Sequence, residues 1–157
     1  MGTAEGLAPA GWLSGARPGT VEEDLDVEKR LVNPDGLWKP SILTQVITTT
    51  GGTTVYISGQ PAYDESGQVV APGDLAAQIE KALANVEIAL KSVGADWTNV
   101  VRMVSYIVDY KPSDRSLLTE IRSRFFTTPP PTTTLLGIQA LAMPGVLYEV
   151  DVTAVID

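Results

Sequence analysis

The residues best suited to chemistry in this 157-residue chain are two carboxylates, Glu149 and Asp151, in a segment where apolar and polar residues alternate. Alternate residues of a β-strand share one face, which would place the two carboxyl groups about 7 Å apart. Such a pair could orient water or move a proton, with Asp151 changing the pKa of Glu149. The same spacing is typical of a polar row facing solvent, and the spacing alone favours that simpler interpretation.

Two further groups could hold the polar end of a substrate. Ser58 ends a β-branched segment beside Gly59, so its hydroxyl could contact a carbonyl or imine, although Ser and Gly also serve in turns. The run Thr132-Thr133-Thr134 could supply hydroxyls, but strand preference explains threonine equally well.

Three arginines could bind an anion, and each is interpreted as a solvated surface charge. If the ligand were an acid, one of them could reach the cleft from a neighbouring copy. They are Arg102, Arg122 and Arg124.

The composition excludes several classes of function. The chain has no histidine and no cysteine, which excludes a Ser-His-Asp triad, a thiolate nucleophile and most zinc or iron sites. Its formal net charge of −8 argues against nucleic acid and anionic membrane partners. No apolar run could span a bilayer, and the start lacks the order of a secretory signal. We expect a cytoplasmic protein, since a cysteine-free chain fits a reducing compartment.

The hydrophobic periods predict a βββαβαββ order over residues 28–157, after a loosely ordered extension at 1–27. Strands are predicted at 27–32, 43–48, 53–58, 99–109, 132–141 and 146–156, and Gly51-Gly52 suggests that the second and third form a hairpin. An apolar stripe predicts a helix beginning at Asp74 and stopping at Gly94. A second helix is predicted at 113–126.

Two helices can cover only one face of a sheet. The strand at 99–109 is apolar on both sides, which is typical of a strand buried on both faces. The simplest cover for the second face is another copy of the chain, so the sequence predicts a homo-oligomer. Tyr106 is interpreted as a core residue, and Trp38 as a possible aromatic wall of a pocket.

Several segments together, across about residues 28 to 157, resemble the RidA/YjgF (reactive intermediate deaminase) family. No single segment is specific, and the resemblance rests on their order and spacing. They are VYISGQP at 55–61, Gln78 with Asn85 and Gly94-Ala95, VVR at 100–102 with YIVD at 106–109, Phe125-Phe126 with Pro131, and EVDVTAV at 149–155.

This resemblance implies a chorismate-mutase-like α/β (α+β) fold, in which one mixed sheet carries two helices on one face. It also implies a homotrimer whose sheets form a central barrel, with clefts at the subunit boundaries. Many members hydrolyse imines or enamines derived from amino acids and release ammonia and a keto acid. They need no cofactor and no metal.

The family's site residues map onto this chain with one large departure. The arginine that holds the substrate carboxylate is replaced by Thr133, which has no charge and cannot form the two parallel hydrogen bonds of a guanidinium. The family's pocket tyrosine is replaced by Ser41. Its helix asparagine maps onto Thr119, a small pocket residue onto Leu135, and its water-positioning glutamate onto Glu149.

The sequence therefore predicts an enzyme that acts on an imine, an enamine or a related activated carbonyl compound. Glu149 would be the catalytic group, and Ser58, Thr133, Thr119 and Leu135 would contact the substrate. The loss of the arginine suggests a substrate other than a 2-imino acid. Two alternatives stay open: a pathway-specific cyclase or isomerase, and a trimer that binds a small molecule without catalysis.

Overall fold

A computed structural model describes residues 26–39, 41–126 and 129–157, so residues 1–25 of the predicted extension lie outside the described part. The observed order of strands and helices is the predicted βββαβαββ. The elements are β1 (Glu28–Val32), β2 (Val46–Thr50), β3 (Thr53–Pro61), α1 (Leu75–Ser92), a short 3₁₀ turn (Trp97–Asn99), β4 (Val100–Val108), α2 (Asp114–Arg122), β5 (Thr132–Ile138) and β6 (Tyr148–Ile156).

The main sheet has four strands in the order β3-β6-β4-β5. β6 runs antiparallel to both β3 and β4, while β4 and β5 are parallel, so the sheet is mixed as expected. β1 and β2 form a separate antiparallel ribbon.

The predicted hairpin between the second and third strands is wrong. β2 pairs with β1, whereas β3 pairs with β6. Gly51 and Gly52 both have left-handed φ angles, and a Cβ on Gly52 would collide with Val27 and with the carbonyl of Ile156. The two glycines therefore carry the chain from the ribbon to the sheet. The long alternating strand β6 is the partner that lets β3 bury Ile57.

Helix α1 forms as the sequence predicts. The Asp74 side chain accepts a hydrogen bond of 3.0 Å from the Ala77 backbone N–H, which caps the first turn. Gly94 has a φ of 75°, a left-handed conformation that suits glycine after a helix end. The apolar stripe of α1 lies against β3 and β6, and its buried members are Ile79, Leu83, Val86 and Leu90.

Helix α2 ends four residues earlier than predicted, at Arg122. Beyond it, Phe125 and Phe126 turn towards Trp97, and their ring centroids lie 5.9 and 4.8 Å from the indole in edge-to-face contacts. These aromatic contacts favour a turn over continued helix, because they fix both rings on one partner.

The two faces of the sheet differ in what covers them. The face under the helices holds the core residues of β4 and β6, which are Met103, Ile107, Tyr148, Val150 and Val152. The opposite face carries Tyr106, Glu149 and Asp151. The prediction that Tyr106 packs in the core is therefore wrong.

The face away from the helices also leaves large apolar side chains uncovered. Tyr56 is 81% exposed and Leu136 is 41% exposed, and both lie on the Tyr106 side by strand register. An uncovered face of this kind is what the predicted oligomer requires. In the part of the chain that the structure describes, no helix has the length and apolarity needed to cross a bilayer.

Candidate functional site

Glu149 lies on β6 between two neighbouring strands, with Pro61 of β3 on one side and Tyr106 of β4 on the other. Its carboxyl group rests directly on the backbone of Gly59, so a Cβ at that position would overlap a carboxylate oxygen. The side chain is partly buried. Because Gly59 has no side chain, the Glu149 carboxylate can lie close to the main chain of β3.

The electrostatic surroundings make Glu149 easier to protonate. Burial raises the pKa of its carboxyl group, and the negative charge of Asp151 raises it further. Asp151 itself accepts a hydrogen bond of 2.8 Å from the Tyr106 hydroxyl and lies 3.6 Å from an Arg102 nitrogen. The two carboxylates thus differ: Asp151 has partners, while Glu149 has a pKa moved towards neutrality, as suits a group that exchanges protons.

The strand beside Glu149 is irregular at the position where Ser58 lies. The register of β3 shifts between Ile57 and Gln60, so the sequence Ser58-Gly59 forms a bulge. Ser58 is exposed. Asn85 of α1 fixes the end of this segment, because its side-chain amide donates hydrogen bonds of 3.0 Å to the carbonyls of Pro61 and Tyr63.

The other three predicted site residues, Thr119, Thr133 and Leu135, line a cleft of about 290 Å³ between α2, β5 and the segment before β2. That segment is anchored over the cleft by Thr44, whose hydroxyl donates to the Pro130 carbonyl at 2.6 Å. An adjoining cleft of about 150 Å³ is bordered by Ser41, again with Thr119. The structure thus brings these three predicted contacts together.

The hydroxyls in this cleft have different partners. Thr119 donates a hydrogen bond of 2.8 Å to the Arg115 carbonyl, which is one turn earlier in α2. The Thr133 hydroxyl accepts a hydrogen bond of 3.3 Å from an Arg122 nitrogen. Leu135 contributes an apolar side chain to the wall of the same cleft.

Arg122 borders both clefts and is the residue that sequence reasoning interpreted wrongly. Its side chain is not a solvated surface charge: the residue is partly buried, and the guanidinium carbon lies 5.2 Å from the centre of the Phe126 ring. Burial lowers the pKa of this guanidinium, although it stays protonated at any physiological pH. Arg122 follows Thr119 by three residues, so both lie on one face of the helix. This spacing in the sequence could have indicated that Arg122 borders the same cleft as Thr119.

The two sets of residues lie on opposite faces of the sheet. Thr133 pairs with the core residue Met103, while Glu149 pairs with Tyr106 on the uncovered side. One copy of the chain therefore does not bring Glu149 and Thr133 together.

Trp38, which the sequence suggests as a pocket wall, is 67% exposed. Its ring lies beneath the guanidinium of Arg115, which borders the cleft of about 290 Å³.

The chemistry available is that of carboxylates, hydroxyls and guanidinium groups. Among residues 26–39, 41–126 and 129–157, no three acidic side chains are grouped so that they could hold a metal ion.

A family model described as Endoribonuclease L-PSP matches residues 43–156, which include all five predicted site residues. The chain belongs to this family, the RidA/YjgF family. Its mixed sheet with two helices is the Rid fold, and the resemblance found in the sequence is confirmed.

Similar proteins support this assignment. Protein DfrA of Myxococcus xanthus is 30% identical over 112 residues, 71% of this chain and 83% of that protein. The 2-iminobutanoate/2-iminopropanoate deaminase of Bos taurus is 31% identical over 102 residues, 65% of this chain and 72% of that protein. The crystal structure of the Rid protein YyfB from Yersinia pestis has a TM-score of 0.76 at 30% identity, covering 82% of this chain and 98% of that one.

Proposed function

We propose that this chain hydrolyses an imine, an enamine or a related activated carbonyl compound at a site shared between two copies. The observation that carries the proposal is the Glu149 carboxyl group, which is held on Gly59 beside an uncovered sheet face with a raised pKa. The bovine relative, named as a 2-iminobutanoate/2-iminopropanoate deaminase, supports the same class of reaction.

In the proposed reaction, the Glu149 carboxylate accepts a proton from a water molecule as the water oxygen adds to the carbon of the C=N bond. The proton is then passed to the nitrogen, which gives a carbinolamine. In the second half the carboxylate takes the hydroxyl proton and passes it to the nitrogen, the C–N bond breaks with its electron pair on nitrogen, and ammonia leaves as the carbonyl forms. A carboxyl pKa nearer neutrality suits both halves of this exchange, since the group must accept and return a proton in each half. No co-reactant other than water is required.

The two faces of the sheet explain why the site would need more than one copy. Glu149, Gly59 and Ser58 would form one half, and the cleft with Thr119, Thr133 and Leu135 in a neighbouring copy would form the other. A homotrimer would cover the exposed face and place the halves opposite one another. In this arrangement Ser58 contacts the reacting end of the substrate, and Leu135 contacts its apolar part.

The acid/base role of Glu149 is tested with freshly generated 2-iminobutanoate, by measuring ammonia and 2-oxobutanoate release. We expect Glu149→Gln to lower the rate about 10²- to 10⁴-fold, the usual contribution of general acid–base catalysis. Glu65→Gln, which changes an exposed carboxylate in a loop, is the matched control and should keep the wild-type rate. Full activity in Glu149→Gln would show that Glu149 is not the acid/base group. No release above background by the wild type would instead favour a trimer that only binds its ligand.

The shared site is tested by mixing variants with damage in different halves. Glu149→Gln removes the carboxylate, and Leu135→Trp fills the cleft, so neither should be active alone. Co-expressed, they should regain activity because some interfaces combine an intact half from each chain. A mixture of Glu149→Gln with Glu149→Ala is the control and should stay inactive. No recovery in the first mixture would contradict a site built from two copies.

The words "Endoribonuclease L-PSP" name a nuclease, and they do not fit this chain's charge. A formal net charge of −8 opposes binding of a polyanion, which depends on clustered Lys and Arg. RNA is therefore no part of the proposed function.

A further inference from the structure

Arg122 is a cation whose charge is not balanced within the described part of the chain. The ion pairs there engage Arg102 with Asp151, and Arg124 with Glu80 and Glu120, but none involves Arg122. The guanidinium is nevertheless partly buried, between the Phe126 ring and the Thr133 hydroxyl. A partly buried charge without a counter-charge is costly, so the position favours binding of an anion that the described residues do not supply.

The donors around Arg122 fit such an anion. A guanidinium has five N–H groups in one plane, and only one hydrogen bond, the 3.3 Å bond to Thr133, uses them in the described residues. Because the Thr133 oxygen accepts that bond, its own proton is available to a ligand. Arg122 and Thr133 therefore offer two kinds of donor side by side, and both border the 290 Å³ cleft.

The second charged group at the cleft has the same sign. Arg115 lies at the cleft edge, over the exposed ring of Trp38. The residues that line this cleft include no Asp or Glu, so its local field is positive on a chain whose net charge is negative. The cleft would therefore attract a small anion that the rest of the surface repels.

We infer that Arg122, with the Thr133 hydroxyl, binds a carboxylate of the substrate, so that a cation on α2 takes the task that Thr133 on β5 cannot perform. A carboxylate is the anion that a planar guanidinium recognises through two parallel hydrogen bonds. This inference rests on the proposed function for what the bound compound then undergoes. It reverses the sequence-based expectation that the substrate lacks a carboxylate.

Binding rather than turnover gives the decisive test. The dissociation constants of 2-oxobutanoate and of its neutral methyl ester are measured by calorimetry on wild type, Arg122→Gln and the control Arg124→Gln. We expect Arg122→Gln to weaken 2-oxobutanoate binding about 10- to 100-fold, the usual effect of losing hydrogen bonds to a charged group, and to leave the ester unaffected. Arg124 is exposed and paired with two carboxylates, so its variant should bind both compounds like wild type.

Three results would overturn the inference. These are unchanged 2-oxobutanoate affinity in Arg122→Gln, equal weakening for acid and ester, and no binding of the acid to wild type at millimolar concentration. If Arg122→Gln does not fold, wild-type protein decides the question. Phenylglyoxal modification of Arg122, followed by mass spectrometry, should slow in 2-oxobutanoate but not in the ester. Equal modification rates in both would reject the carboxylate site.

The inference and the proposed function fail in different ways. If 2-oxobutanoate binds through Arg122 but the wild type releases no ammonia from 2-iminobutanoate, the carboxylate site stands and the deaminase proposal fails. If ammonia is released at equal rates by wild type and Arg122→Gln, with equal KM, the reverse holds.

Discussion

Asp151 accepts a 2.8 Å hydrogen bond from the Tyr106 hydroxyl while its negative charge raises the pKa of Glu149, its neighbour on the same face of β6. The protonation of the proposed acid/base group Glu149 therefore depends on the charge of a second carboxylate, Asp151. The hydrogen bond to Asp151 also raises the pKa of the Tyr106 hydroxyl, because it favours the protonated phenol.

Replacing Asp151 by Asn should move the pH dependence of turnover to lower pH. The substitution removes the negative charge that favours protonation of Glu149, so the pKa of Glu149 falls and its ionised form persists in more acid solution. The rate of 2-iminobutanoate hydrolysis as a function of pH measures the shift of the acid limb. Tyr106→Phe keeps the charge of Asp151 and should not lower that limb. An acid limb that is unmoved in Asp151→Asn would remove Asp151 from the electrostatics of the site.

Gly59→Ala should displace the Glu149 carboxyl group and reduce turnover. The added Cβ overlaps a carboxylate oxygen, and the flexible end of Glu149 is free to move, so the activity should suffer more than the fold. We expect an unfolding free energy lower by about 1–3 kcal/mol, the range for inserting a carbon atom into a packed place. In a Glu149→Ala background the same change should cost much less, because the overlapping atoms are gone. Equal costs in the two backgrounds would show that no contact links the residues.

The fold could be predicted from local periodicity to a large extent. The apolar stripe of α1, its Asp74 cap and its Gly94 stop are visible in the sequence because each acts within one or two turns. The partner of β2 could not be predicted, since the turn glycines at 51–52 are compatible with a hairpin. In the structure β2 pairs with β1, and β3 pairs instead with β6, which lies far along the chain.

The candidate site shows the same division. Alternation along β6 places Glu149 and Asp151 on one face, as the sequence indicates. The environment of Arg122 depends on Thr133 of β5, on Phe126 and on the segment that Thr44 anchors, which are brought together only by the tertiary fold. The sequence alone therefore predicts that Arg122, a charged residue on a helix, is a solvated surface group.

Glu149→Gln should stabilise the protein at neutral pH, in contrast to its effect on turnover. Burial raises the folded-state pKa of Glu149, so the ionised carboxylate is less favourable in the folded chain than in the unfolded chain. The stability associated with the protonated group is fully present below the unfolded pKa of about 4.3 and is lost as the pH rises through the folded pKa. The variant's advantage in Tm should thus appear at pH 7 and vanish near pH 4. A lower Tm for Glu149→Gln at pH 7 would contradict the unfavourable charge.

Gln78→Leu should destabilise the fold strongly, because a single buried amide joins α1 to the start of β6. Its Nε2 donates to the carbonyls of Gly145 and Ala71 at 2.8 and 3.2 Å, and its Oε1 accepts from the Leu147 N–H at 2.7 Å. Leucine has a similar size but leaves all three backbone groups without this partner, at a cost of about 1–3 kcal/mol for each buried group that water cannot reach. Urea unfolding measures the loss. Gln78→Glu keeps the acceptor for Leu147 and should cost less than Gln78→Leu in acid, where the carboxyl group is protonated and can also donate. Equal losses for the two variants at low pH would show that packing, rather than these hydrogen bonds, makes Gln78 important to β6.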